Sequence, residues 1–135
     1  MSERSRTLPR RTCLSVPGSS PAMLAKAPTR GADMVFVDLE DSVAPAEKDA
    51  ARILVRNALR AIDFGDTERM VRINPLPLGL EDLDAIAAEA VNVVLVPKVE
   101  EPETLVLVDE RIRSRTDRTV WLMPILESAL GVERG

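Results

Sequence analysis

The sequence predicts an α/β fold in which parallel strands alternate with helices. Two unbroken apolar runs, residues 34–37 and 93–96, are typical of strands that are buried on both faces of a parallel sheet. The segments between apolar runs carry helical periodicity and helix-starting residues such as proline. Four apolar runs also end in charged or amide side chains, which places polar groups at the edge where parallel strands end.

The first strand is predicted over residues 12–16. Ser20 as N-cap and Pro21 at the first helical position indicate the helix that follows, and Gly31 is expected to end it. The second strand, residues 34–39, leads to a helix that begins at Pro45 and ends near residue 62. Spacings of three and four predict a mostly apolar stripe on that helix, formed by Ala50, Ile53, Leu54, Asn57, Ala58, Ala61 and Ile62.

Three further strand–helix units follow by the same reasoning. Their strands are predicted over residues 70–74, 93–96 and 119–126, and their helices near Gly79, Pro102 and Ser128. A closed eight-fold barrel typically needs about 250 residues, so the five units are roughly five-eighths of one. The 135 residues therefore form either part of a barrel or an open α/β sheet.

Alternation along each strand predicts which side chains share one face. In a barrel this face would line the interior, while the opposite face would pack against the helices. The residues expected on it are Phe36, Asp38, Glu40, Met70, Arg72, Asn74, Val94, Val96, Lys98, Trp121, Met123, Ile125 and Glu127.

Composition excludes several classes of function. The chain has no histidine, which rules out Ser-His-Asp and Cys-His catalysis and histidine metal ligands within it. A net charge of −4 argues against a nucleic-acid partner, and 2% aromatic residues leave no stacking platform for bases. Cys13, the only cysteine, lies in an apolar run and is expected to be a buried strand residue rather than a nucleophile.

The N-terminal residues 1–11 are polar and carry no apolar segment, so we expect a flexible tail rather than a secretory signal. Residues 12–135 are expected to form one domain. No stretch is long or apolar enough to span a membrane, and the implied location is cytoplasmic.

The polar residues at the strand ends suit an oxo acid and a divalent cation. Glu127, with Glu40 and Asp41 nearby, could hold Mg²⁺, which binds one or two carboxylates and keeps several waters. Arg72 suits bidentate capture of a substrate carboxylate. A site with a divalent cation and an arginine suits cleavage or formation of a C–C bond beside a carbonyl.

Each of these residues also has a purely structural interpretation. Glu40 and Asp41 could cap the following helix, and Arg72 could be an ion-pair partner inside a barrel. Glu127 could cap the fifth helix or pair with Arg72. A lysine at a strand end, such as Lys98, is more often solvated or ion-paired than catalytic.

Several short motifs occur in an order that covers the chain from Arg11 onward. They are SVPGSSP at 15–21, VDLEDSV with PAEK at 37–48, VRINP at 71–75, VPKV at 96–99 and ILESALGV at 125–132. Together they resemble the citrate lyase beta subunit family within the HpcH/HpaI aldolase superfamily. The resemblance implies a TIM barrel, (β/α)8, of which this chain holds about the first five β/α units.

The resemblance also implies a lyase that binds Mg²⁺ and cleaves 3-hydroxy-acyl-CoA thioesters to an oxo acid and an acyl-CoA. Typical substrates of the family are citryl-CoA, malyl-CoA and citramalyl-CoA, so coenzyme A enters as part of the substrate. Members are longer than this chain, and their second metal-ligand aspartate lies beyond residue 135. Related lyases are homotrimeric or part of larger complexes, which implies a homo-oligomer or a lyase complex subunit.

The resemblance implies a role for each residue that matches one of the family's motifs. Arg72 matches the arginine that holds the oxo-acid carboxylate, and Glu127 matches the metal-binding glutamate. Glu40 and Asp41 match acids that hydrogen-bond metal-bound water. Lys98 matches a lysine near the strand ends.

The turn at Pro17 and Gly18 matches a loop near the thioester part of the substrate, and it favours the CoA-dependent branch together with the Leu-Glu-Asp segment. Two alternatives stay open. One is a metal-dependent aldolase that acts on free 2-oxo acids without CoA. The other is a truncated, non-catalytic half-barrel that binds a ligand or a partner subunit. An open arc of strands exposes its edges, which predicts self-association.

Overall fold

The computed structural model describes residues 8–135, so most of the predicted N-terminal tail lies outside the described residues. The strands are β1 Cys13–Pro17, β2 Met34–Asp38, β3 Glu68–Arg72, β4 Val93–Val96 and β5 Trp121–Pro124. The helices are α1 Pro21–Lys26, α2 Lys48–Ala61, α3 Leu78–Ile86, α4 Pro102–Arg113 and α5 Ala129–Arg134, with 3₁₀ turns at Ala27–Arg30 and Pro45–Glu47.

The five strands form one parallel sheet in the order β1-β2-β3-β4-β5. Neighbours in the sheet are therefore neighbours in sequence. A doubly wound sheet would reverse its strand order part-way, whereas a β/α barrel does not. The observed order confirms the α/β class and corresponds to the first five units of a barrel.

The main hydrophobic core lies between the sheet and the helices. It joins strand residues such as Val35 and Val71 to helix residues such as Val55, Leu83 and Val108. A smaller cluster on the opposite face consists of strand residues and their neighbours, namely Met70, Val93, Leu95, Met34, Phe36 and Ile125. Helices α1 to α4 thus cover one face, as in the outer layer of a barrel.

The predicted helix ends are confirmed where a capping residue marks them. The Ser20 hydroxyl accepts a hydrogen bond from the Met23 amide at 3.3 Å, and Pro21 begins α1. Gly31 follows the 3₁₀ turn with φ of +74°, a left-handed conformation that costs glycine little. Ser128 caps α5, because its hydroxyl accepts from the Gly131 amide at 3.0 Å.

The stripe predicted for α2 is wrong in phase. The residues that α2 buries are Ala51, Val55 and Leu59, whereas Ile53 from the predicted stripe is exposed. Two residues of the predicted stripe are confirmed, since Ala58 and Ile62 pack against the core. The buried residues do recur at spacings of three and four, but one position away from most of the predicted stripe, which included the polar Asn57.

The inward face predicted for β4 is also wrong. Val94 and Val96 belong to the helix-side core, and the interior cluster contains Val93 and Leu95 instead. Both faces of this strand are apolar, so the prediction counted back from Lys98. Lys98 has φ of +53°, and the alternation of the strand therefore does not extend to it.

Cys13 is exposed, which corrects the expectation of a buried strand residue. It begins β1, the strand at one edge of the sheet, so among the described residues a neighbouring strand lies on one side only.

Two residues that precede β1 form ion pairs with the rest of the fold. Arg10 pairs with the buried Glu68 at 2.7 Å, and Arg11 pairs with Asp33 at 3.1 Å. The hydrogen bonds from Arg11 lower the pKa of Asp33 to about 2.

Within residues 8–135, every helix is too short or too polar to cross a membrane.

A buried carboxylate fixes the end of β3 to two helices. Asp82 of α3 is fully buried and accepts a hydrogen bond from Arg52 Nε of α2 at 2.8 Å. Its second oxygen accepts from the backbone amide and from Nδ2 of Asn74, both at 2.8 Å. Asn74 follows the end of β3, so its hydrogen bonds to Asp82 hold the start of the β3–α3 loop in place.

Replacing Asp82 by Asn should lower the free energy of unfolding by roughly 2–3 kcal/mol, because the neutral amide leaves buried donors without an acceptor. Urea unfolding followed by circular dichroism measures the change. The control is Asp49→Asn, since Asp49 pairs with the same Arg52 at 3.0 Å but its side chain is 90% exposed. That variant should lose less than about 1 kcal/mol. Equal losses would contradict the structural role given to Asp82.

Candidate active site at the carboxyl ends of the strands

Polar side chains from three neighbouring strands meet where the strands end. Asp38, the last residue of β2, pairs in register with Arg72, the last residue of β3. Glu40 follows β2, and Lys98 follows β4. Because the strands are parallel, these side chains come to one edge of the sheet, where barrel enzymes build their active sites.

Asp38 and Arg72 form a two-pronged ion pair. Arg72 Nε donates to Asp38 Oδ1 at 2.8 Å, and Nη2 donates to Oδ2 at 2.7 Å. The same carboxylate accepts from the backbone amides of Glu40 at 2.8 Å and Ser42 at 2.9 Å. Burial alone would raise the pKa of Asp38, but the hydrogen bonds from Arg72 and Ser42 outweigh it and hold the pKa well below its usual range.

Asp38 is the functional residue that the sequence reasoning missed. Alternation placed it on the same face as Glu40, but only Glu40 and Asp41 were assigned a role. A usable signal was present, because an acid at a strand end whose neighbouring strand ends in arginine suggests an ion pair.

Arg72 keeps part of its hydrogen-bonding capacity for a ligand. Asp38 occupies one edge of the guanidinium, and Nη1 makes no hydrogen bond within the described part of the chain. The side chain is 18% exposed, and its guanidinium lies over the Phe36 ring at 5.2 Å from the centroid. The structural interpretation of Arg72 is thus partly correct, and the remaining edge still suits a carboxylate.

Glu40 is a buried carboxylate without a hydrogen-bond donor. Its side chain is 4% exposed, and neither oxygen has a hydrogen-bond partner among residues 8–135. Arg72 Nε and Lys98 Nζ each lie 3.4 Å from its oxygens. Burial raises the pKa of Glu40, the charge of Asp41 raises it further, and the two cations oppose this shift.

Lys98, which pairs with the Glu40 carboxylate, has an unusual backbone conformation. Its φ of +53° is uncommon for a residue with a side chain, and such conformations concentrate at functional sites. The half-exposed side chain brings Nζ to Glu40. The ion-paired interpretation is therefore correct for this lysine.

The turn at Pro17 and Gly18 is fixed against the end of β2. Pro17 lies opposite Asp38 in the register of β1 and β2, and the Gly18 amide donates to the Asp38 carbonyl at 2.8 Å. A Cβ on Gly18 would lie 2.8 Å from that same carbonyl oxygen, so only glycine fits this close approach. The turn therefore lies next to the site.

Glu127 and Asp41 are exposed and make no hydrogen bond or ion pair with residues 8–135. Glu127 follows β5, but the structure does not join it to Glu40 or Arg72 by any direct contact. Neither structural alternative holds for it, since Ser128 caps α5 and Arg72 pairs with Asp38. Glu40 and Asp41 do not cap α2 either, because that helix has no side-chain cap.

The donor set fits Mg²⁺ in part. Across the described residues, no three Asp, Glu or Cys side chains form a group that could hold a metal. Mg²⁺ does not require such a group, because it binds one or two carboxylates and keeps several waters. The buried acceptor oxygens of Glu40 fit hydrogen bonds from metal-bound water, and the exposed carboxylate of Glu127 is free to ligate.

The stability given by the Asp38–Arg72 pair should depend on pH. The folded pKa of Asp38 is depressed, so its contribution is complete above the unfolded value of about 3.9 and is lost as the pH falls through the folded pKa. Asp38→Asn should therefore cost roughly 2–3 kcal/mol at pH 7 and progressively less below about pH 4. Urea unfolding across this range measures the difference.

Asp117→Asn is the matched control, because Asp117 is exposed and makes no ion pair with the described residues. Its effect should be small at every pH. A loss for Asp38→Asn that stays constant between pH 7 and pH 3 would contradict the electrostatic account.

Residues 11–134 match the family model described as HpcH/HpaI aldolase/citrate lyase. The chain is 44% identical over 131 residues to citrate lyase subunit beta of Leuconostoc mesenteroides subsp. cremoris, covering 91% of this chain and 43% of the relative. It is 33% identical over 134 residues to mitochondrial citramalyl-CoA lyase of Homo sapiens, covering 93% and 39%.

The fold matches the crystal structure of CitE from Mycobacterium tuberculosis in complex with magnesium, acetoacetate and coenzyme A. The TM-score is 0.70 at 32% sequence identity, and the match covers 93% of this chain and 43% of that one. The chain thus spans less than half the length of these relatives. The family model covers nearly all of it, and the chain belongs to the HpcH/HpaI aldolase/citrate lyase family.

Proposed function

We propose that the chain carries the oxo-acid-binding part of a Mg²⁺-dependent C–C lyase that cleaves a 3-hydroxy-acyl-CoA thioester to an oxo acid and an acyl-CoA. The observation that carries the proposal is Arg72, held on one edge by Asp38 and open on the other, beside the buried acceptor Glu40. The similarity to a citramalyl-CoA lyase and to a CitE complex with magnesium, acetoacetate and coenzyme A supports it.

In this proposal Arg72 binds the carboxylate of the oxo-acid portion. Asp38 fixes the plane of the guanidinium, and the ring of Phe36 supports it, so little side-chain freedom is lost when the substrate binds. The carboxylate meets the edge that includes Nη1. Bidentate binding there fixes the orientation of the bond to be cleaved.

Glu127 is the proposed metal ligand, and Glu40 and Asp41 are the proposed acceptors for metal-bound water. Mg²⁺ held there would supply a Lewis acid for the substrate oxygen that becomes the carbonyl oxygen. In the cleavage, the 3-hydroxyl group loses its proton and the electrons of the C–C bond pass to the α-carbon of the acyl-CoA, which is then protonated. The chain's own part is to hold the carboxylate and to keep acceptor oxygens in a site of low dielectric.

Lys98 and the turn at Pro17 and Gly18 are the proposed contacts for the remainder of the substrate. Lys98 Nζ already balances the charge of Glu40 at 3.4 Å and is half-exposed, so it can also meet an anionic group of the ligand. The turn is rigid because the Asp38 carbonyl holds the Gly18 amide. Both lie next to the Arg72 site.

The remaining expectations are part of the proposal. Residues 12–135 would be the N-terminal part of a barrel lyase domain, in a cytoplasmic protein that forms a homo-oligomer or joins a lyase complex.

A second candidate is a non-catalytic half-barrel that binds a ligand or a partner subunit. One observation favours it: residues 8–135 gather no group of three metal-ligating side chains. Such a protein would bind an oxo acid through Arg72 without turning over a thioester.

With Mg²⁺, the purified chain should cleave citryl-CoA, malyl-CoA or citramalyl-CoA to acetyl-CoA and an oxo acid. The cleavage should stop when a chelator is added. Glu127→Gln should lower the rate at least about ten-fold at limiting Mg²⁺, because it removes the proposed metal ligand. Cleavage of the free acids at the same rate would favour an aldolase that does not need CoA. A folded chain with no turnover of any thioester would favour the non-catalytic half-barrel.

Arg72→Lys should reduce kcat/KM about 100-fold, because an ammonium cannot hold Asp38 and a substrate carboxylate in two planar forks. Steady-state kinetics with the best of the three thioesters measures the effect. The matched control is Arg30→Lys, an exposed arginine far from the strand ends in the 3₁₀ turn after α1. Unchanged kcat/KM for Arg72→Lys would overturn the assigned role.

A further inference from the structure

The ammonium group of Lys48 lies next to the candidate site, and each of its three N–H groups donates a hydrogen bond. Nζ donates to the Leu39 carbonyl at 3.1 Å, to the Glu40 carbonyl at 2.9 Å and to Asn74 Oδ1 at 2.6 Å. An ammonium has three N–H groups, so each is matched by one acceptor. Lys48 therefore joins the segment after β2 to the segment after β3.

The acceptor on Asn74 is held in place by the neighbouring helices. Asn74 Nδ2 donates to Asp82, which leaves Oδ1 to accept from Lys48. Asp82 is in turn fixed by Arg52. A continuous set of hydrogen bonds thus leads from α2 and α3 to the peptide groups on both sides of Glu40.

Glu40 depends on its backbone for orientation. No hydrogen bond holds its carboxylate within the described chain, and the two cations nearby lie 3.4 Å away. Its peptide groups are held from two sides, since Asp38 accepts from the Glu40 amide and Lys48 donates to the Leu39 and Glu40 carbonyls. Loss of Lys48 would release one of these two constraints.

Helix stability does not account for a lysine at this position. Lys48 is the first residue of α2, where the partial positive charge of the helix dipole disfavours a cation by about 0.3–1 kcal/mol. A residue that opposes the local preference of its helix is expected where a functional contact compensates. The three acceptors are that contact.

We propose that Lys48 is a positioning residue of the active site. Its three N–H groups are used within the protein, and it fixes the backbone from which the Glu40 carboxylate would accept a hydrogen bond from water bound to Mg²⁺. The inference rests on the proposed function, since it requires Mg²⁺ at this end of the sheet.

The test is Lys48→Met, which keeps most of the side-chain volume and removes the ammonium, with Lys26→Met as the matched control on the exposed surface of α1. Titration calorimetry with Mg²⁺ and amide hydrogen exchange are measured on both variants and on the native chain. Lys48→Met should bind Mg²⁺ about ten-fold or more weakly, as expected when a group that orients a metal site is lost. Exchange at the Glu40 and Ser42 amides should become faster, and Lys26→Met should change neither quantity.

A double-mutant cycle with Glu40→Gln separates positioning from general destabilisation. If Lys48 acts through Glu40, Lys48→Met should weaken Mg²⁺ binding in the native background and have almost no further effect in the Glu40→Gln background. Equal losses in both backgrounds, or unchanged Mg²⁺ binding by Lys48→Met, would overturn the inference while leaving the proposed function in place. Absence of Mg²⁺ binding by the native chain would overturn both.

Discussion

The arrangement at the strand ends depends on the buried carboxylate of Asp38. A buried charge is costly unless hydrogen bonds replace its hydration, and Asp38 has four of them, two from Arg72 and one each from the Glu40 and Ser42 amides. The same four contacts fix the guanidinium plane and turn the chain after β2. One interaction thus orients the cation that would meet a substrate and the loop that carries the acids.

The sheet makes this interaction possible because its strands run in sequence order and in parallel. β2 and β3 end side by side, so Asp38 and Arg72 are opposite each other in the register. Helices α1 to α4 lie on one face, and the opposite face carries a small apolar cluster and the polar side chains at the strand ends. The hydrogen bonds among Arg52, Asp82 and Asn74 extend from the helices to the end of β3.

Local sequence predicted the elements well because apolar runs and capping residues are local signals. The prediction from local sequence failed where the two faces of an element have similar residues. Both faces of β4 are apolar, and the left-handed Lys98 breaks the alternation from which its phase was counted. The exposure of Cys13 depends on the position of β1 at a sheet edge, which no local pattern encodes. Asp38 was missed because the prediction assigned a role only to the acids that follow β2, although Asp38 ends that strand opposite Arg72.

The central claim is that the open edge of Arg72 binds the carboxylate of an oxo acid. The most direct test follows the Nε–H resonance of Arg72 by NMR while pyruvate is added to the chain with Mg²⁺. The account predicts a saturable shift of this resonance and of the Glu40 amide, which is weakened when Mg²⁺ is removed. Saturable shifts confined to residues elsewhere in the fold, with the Arg72 and Glu40 signals unchanged, would contradict it.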